Sequence, residues 1–227
     1  MFFDPQQLIV LGHPIAPRGR ARLDLAAVDW RYVNDDDFIT KSRLEKPFQL
    51  SPVKEAILED TDHYRVINFM VNPMNDGSTS FFFNSVGGYH AAKPRRYQEL
   101  FDFQIANNNI EVLNMLNTRY IIYPGEENRE SVQLNEDANG NAWFVEEIDW
   151  VGTADEEIRA LDSLDTKRTV AVNREYEAFL EGFQPRKELD SQIELTSYAP
   201  NEMRYRSISE SEQLAVFSEM FYEHGWN

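Results

Sequence analysis

The chain has 227 residues, 42% of them apolar and 13% aromatic, enough to bury a substantial core in one large domain or two small ones. A formal charge of −17 repels phosphate backbones and anionic lipid surfaces, which argues against a nucleic-acid or peripheral-membrane role. There is no cysteine, so disulfides, thiolate metal sites and a cysteine nucleophile are excluded, and no apolar run reaches the roughly 18 residues that span a bilayer.

Residues 1–23 read as a poorly ordered lead, punctuated by Pro5, Pro14, Pro17 and Gly19. Residues 24–124 are expected to form a mixed α/β lobe, helical with a short sheet. In it Ser51-Pro52 is an N-cap followed by proline at the first helical position, opening a short helix over VKEAILED. Tyr64 to Val71 has the character of a partly buried strand, and Asn72 to Gly77 that of a turn. Pro94 to Ala106 is the clearest helix, because Tyr97, Leu100, Phe101 and Ile105 recur on one face. Asn107 to Asn109 stops it, Asn109 caps the helix that follows, and TRYIIY (118–123) reads as a strand.

Residues 125–141 form an acidic, turn-rich stretch, read as a connection between two lobes. Residues 142–227 are expected to be a mainly antiparallel sheet lobe with two helices, beginning with AWFVEEIDWV (142–151) as one strand. A helix over Asp155 to Leu164, a strand over TKRTVAV and a helix over REYEAFLEGF closed by Gly182 come next. SQIELTSYA, NEMRYRSIS and EQLAVFSEMFY then read as three successive strands joined by hairpins. The fold class is α+β.

Chemistry is sparse. His13, His63, His90 and His224 show no ligand spacing, so a metal site is not expected. Asp35-Asp36-Asp37 lacks the spacing of a calcium loop and reads as a solvated run. Trp143, Trp150 and Trp226 suit stacking on a sugar or, in strands, burial in a core. No phosphate-loop, dinucleotide or nucleophile-elbow pattern occurs, so no catalytic residue is assigned and no cofactor is expected. The anomaly is Lys93, Arg95 and Arg96 at the start of a helix, where the helix dipole disfavours cations. With Tyr89, His90 and Tyr97 they form the candidate ligand-binding surface, a seat for phosphate or carboxylate beside the Gly87-Gly88 turn. The plainer alternative pairs Arg95 with Glu99 and Arg96 with an acidic patch elsewhere.

DLAAVDWRYVNDDDF (24–38), the run from Asn72 to Leu100 that contains GGYHAAKPRRY, VLNMLNTRYII (112–122), GNAWFV (140–145) and LAVFSEMFYEHGW (214–226) resemble, in order, YfhO-family bacterial membrane proteins. The resemblance implies a region of a much larger polytopic protein, similar to C-type glycosyltransferases that use polyprenyl-phosphate sugars and modify cell-envelope polymers. It places this segment on the extracytoplasmic face of the bacterial cytoplasmic membrane. The acidic catalytic residue of such transferases lies in an early loop that has no counterpart here, so none is carried over. The implied partners are transmembrane helices of the same parent protein and a glycan or polyprenyl-phosphate sugar, with no nucleic acid. The family's last strand runs on past the Gly-Trp, whereas this chain stops at Asn227, which implies a final sheet that is incomplete or finished by another copy. The alternative function is a structural or interaction module that packs on membrane helices or a partner protein and has no ligand. A free-standing hydrolase is a third class, and requires a pocket holding His90 with a carboxylate and a hydroxyl.

Overall fold

A computed structural model describes residues 40–186 and 188–221. The lead over 1–23, the Asp24–Phe38 run with Asp35 to Asp37, His13, and the end of the chain with His224 and Trp226 lie outside the described residues. The chain divides into two compact units with the seam after Gln49. Of the first, the described part is helix α1 (Lys41–Glu45), capped by Thr40, and a 3₁₀ turn at Lys46–Phe48.

The second unit is α+β, helical in its first part and predominantly antiparallel near its C-terminus. Helix α2 (Pro52–Leu58) starts where Ser51 Oγ accepts from Lys54 N–H and proline occupies the first turn, as its sequence predicts. Strand β1 (Arg65–Asn68) pairs in parallel with β2 (Thr118–Pro124), and β2 pairs antiparallel with β3 (Glu130–Leu134). Between β1 and β2 run α3 (Ser78–Phe82), α4 (Arg95–Phe103) and α5 (Ile110–Met115), with a 3₁₀ turn at Ile105–Asn107 separating the last two. Asn108 turns left-handed there, and the Asn109 side chain caps α5.

The period of two along β1 sorts its residues between two cores. Ile67 and its partner Ile121 join Leu100, Ile105, Val112, Leu113 and Leu116 beneath α4 and α5. Val66, Tyr120 and Ile122 face the opposite core with Ile57, Tyr64 and Phe83. Val66 also exchanges backbone hydrogen bonds with Asn84 and Val86, so 84–86 runs alongside β1.

The stretch 125–141 departs from a plain connection. Glu127 and Asn128 turn left-handed, β3 then returns along β2, and Asn135 and Asn139 are buried. The expected long strand over 142–151 is two, β4 (Ala142–Phe144) and β5 (Glu147–Val151). The chain changes hydrogen-bond partners between them, Val145 N–H donating to Leu214 and Glu146 N–H to Arg168. Helix α6 (Ala154–Ala160), capped by Thr153, joins β5 to its parallel partner β6 (Thr169–Asn173). Arg174–Leu180 is a 3₁₀ helix rather than an α-helix, and buries none of its residues. Strands β7 (Gln192–Ala199) and β8 (Glu202–Ile208) form the expected hairpin. The third strand does not extend it: β9 (Ala215–Phe217) pairs with β4, setting Val216 against Trp143.

Buried amides join these parts. Asn135 Nδ2 donates to Asn114 Oδ1 (2.8 Å) and to the Thr118 carbonyl (2.9 Å) with no access to water. Asn135→Ala orphans both acceptors and should cost about 2 kcal/mol, to be read as a lower urea midpoint with unchanged m-value.

Candidate functional site

The Gly87-Gly88 turn is built by close approach. A Cβ on Gly87 would lie 1.8 Å from the Pro73 carbonyl oxygen, and Gly88 adopts φ +127 while its N–H donates to that same oxygen (2.6 Å). The turn pins the 72–77 loop to the segment carrying the candidate cations. Beyond it Tyr89 is 74% exposed, and His90 Nδ1 accepts from Ala92 N–H (3.1 Å).

The three cations reach three different partners. Lys93 Nζ donates to the Met74 carbonyl (2.6 Å), and Arg95 Nε to Glu99 Oε1 one turn on (2.7 Å). Arg96 spans to α6, where its guanidinium meets both oxygens of Glu157 at 2.6 and 2.7 Å. The Arg95 and Arg96 pairs are exposed, so each adds about 0–1 kcal/mol and is screened by salt. Tyr97 is the inward-facing member: its hydroxyl donates to the Val86 carbonyl, and burial pushes its pKa up to about 12.

Arg96 and Tyr97 also line a cleft of about 340 Å³. Leu100 of α4, Met115 at the end of α5, Ile158 of α6, Val170 of β6 and Val216 of β9 supply its apolar surface. Phe217, Met220 and Phe221 form a further wall, and Phe221 is 77% exposed at its edge. Polar groups are few: the Arg96–Glu157 pair, Glu99, Thr166, Thr169, Ser218 and Glu219. A concavity of this size, mostly apolar with a few polar points, is the usual form of a small-ligand site. Tyr89, His90, Lys93 and Arg95 do not line it. A larger cleft of about 550 Å³, lined by charged residues from Glu146 to Glu194, contains none of the six candidates.

The sequence reading missed the residues that complete the cleft. Met220, Phe221 and Glu219 follow a strand whose partner is β4, and no local pattern in the chain reveals that pairing. His90 lines neither of these two clefts. Among the described residues no group of three or more His, Asp or Glu side chains is placed to hold a metal.

Comparison with protein-family models, with curated proteins and with solved structures finds no match. Gly87→Ala should disrupt the turn that precedes α4, lowering the melting temperature by several degrees, whereas Gly77→Ala, with open space at its Cβ, should shift it far less. Thermal unfolding of both variants checks this.

Proposed function

We propose that this chain is a non-catalytic extracytoplasmic domain of a polytopic membrane glycosyltransferase of the YfhO type, which modifies cell-envelope polymers. In this reading it contacts the acceptor glycan or a lipid-linked sugar phosphate, and transmembrane helices of the same parent protein are its neighbours. The observation that carries the proposal is the apolar cleft with Arg96 on its lining: a tail can enter the cleft while an anionic head competes with Glu157 for the guanidinium. The resemblance of the GGYHAAKPRRY and VLNMLNTRY segments supports the same reading. Among the described residues no helix is long and apolar enough to cross a membrane.

One observation favours a second reading, a module that packs on membrane helices or a partner protein without a ligand. Phe217, Met220 and Phe221 are exposed side by side at the cleft, and contiguous apolar surface of this kind marks protein contacts.

Farnesyl phosphate, a short water-compatible probe, separates the two. Arg96→Gln should weaken its binding about tenfold in calorimetric titration while leaving the melting temperature nearly unchanged, because the ion pair removed is exposed. Equal binding by the variant removes Arg96 from the site, and no binding by the unaltered chain favours the packing module.

A further inference from the structure

One wall of the cleft is fastened by an ionic clasp. Arg65, the first residue of β1, donates from Nη1 to the carbonyls of Leu116 (2.9 Å) and Ser218 (2.8 Å), and from Nη2 to Glu219 Oε2 (2.9 Å). His63 Nε2 lies 3.4 Å from Glu219 Oε1. The Arg65, His63 and Glu219 side chains are 16%, 14% and 17% exposed, so the Arg65–Glu219 pair is far less screened than the pairs of Arg95 or Arg96. The Tyr198 ring stacks on His63 with centroids 4.1 Å apart, which ties the β7–β8 hairpin to the same point. Among the described residues, the Tyr205 hydroxyl on β8, near Glu219 and Arg65, and Tyr97 of α4, near Arg65, also face the clasp.

Glu219 is the hinge of this arrangement. Ser218, Glu219, Met220 and Phe221 all line the cleft, and the clasp acts on Ser218 and Glu219. Removing the charge from a nearly buried carboxylate leaves the Arg65 guanidinium facing a neutral acid.

We propose that the ionisation of Glu219 sets the state of the cleft: charged, it holds Ser218–Phe221 as a wall, and neutral, it releases them and opens the apolar lining to water. The inference is a regulation of the cleft proposed above and so rests on that reading. Its direction follows from linkage. The hydrogen bond from His63 first, and the charge of Arg65 after it, hold the Glu219 pKa below the usual carboxylate value. The clasp is therefore fully made above the ordinary carboxylate pKa and lost as pH falls through the lower folded value.

Glu219→Gln fixes the uncharged form at every pH. The uncharged apolar dye N-phenyl-1-naphthylamine serves as the probe, with hydrogen–deuterium exchange of residues 214–221 as a second readout on the unaltered chain. Dye binding by the unaltered chain should hold steady from about pH 7 down to about pH 4.5, the ordinary carboxylate value, and weaken about tenfold as pH falls from there toward about pH 3, and exchange protection of 214–221 should fall over the same lower interval. In Glu219→Gln binding should be weak near neutrality and flat across that interval. The same pH curve in both proteins, or protection of 214–221 that does not change with pH, overturns the clasp. Failure of the unaltered chain to bind the dye near pH 7 overturns the cleft reading instead, and the exchange measurement then still decides the clasp.

Discussion

The second unit depends on satisfying buried amides around the end of α5. Asn114 accepts from Asn135 through its side chain, and from Asn117 N–H and Asn139 N–H through its carbonyl. Asn117, left-handed at φ 54, donates to the His63 carbonyl and to Asn141 Oδ1. Asn139 Nδ2 reaches Thr166 Oγ1, which in turn donates to Glu111, and Trp143 Nε1 closes on the Thr166 carbonyl. A loop, a helix end and two strands thus meet at groups that are buried or half-buried. Each partner is required because an unpaired buried amide costs more than a paired one contributes. Apolar packing alone would let β4 slide over α5, whereas directional donors and acceptors fix its position.

What could be read from the residues in advance is local. The Ser51-Pro52 start, the apolar stripe of α4, the Asn109 cap and the alternation of Met203 and Tyr205 against Arg204 and Arg206 each express a constraint spanning only a few positions. The cap and the stripe are where backbone hydrogen-bonding and side-chain periodicity leave little choice. Strand partners are different. That β4 would take β9, and that the chain would break at Val145 to serve Leu214 and then Arg168, is decided by groups distant in sequence. The candidate cations were legible as a composition anomaly, but of their partners only one was. Glu99 sits one helical turn from Arg95 and could be named, while Glu157 comes from α6 and the Met74 carbonyl from a loop.

Two kinds of charge coexist in this acidic chain. On the outer side of α4 and α6, arginine and glutamate meet in solvent, where their energies are small and screened by salt. At the base of β1, Arg65 is committed to two carbonyls and a carboxylate in a setting that water scarcely reaches. The same guanidinium chemistry therefore makes a solvent-exposed ion pair at one edge of the cleft and a half-buried anchor at the other.

The pairing of β4 with β9 has a kinetic consequence. The cleft draws its walls from α4, β6 and the segment after β9, so it has no complete form until a strand near the end of the described chain has returned across the intervening β5, α6 and the β7–β8 hairpin. Contacts of such long sequence separation carry the largest loop-closure entropy and form late. During synthesis the helices and the parallel β1–β2 pair can be in place while Ile158 and Val170 still lack the wall formed by 217–221. The wall formed by 217–221 is therefore among the last parts of the cleft to be set in place, because it waits on the pairing of β9 with β4.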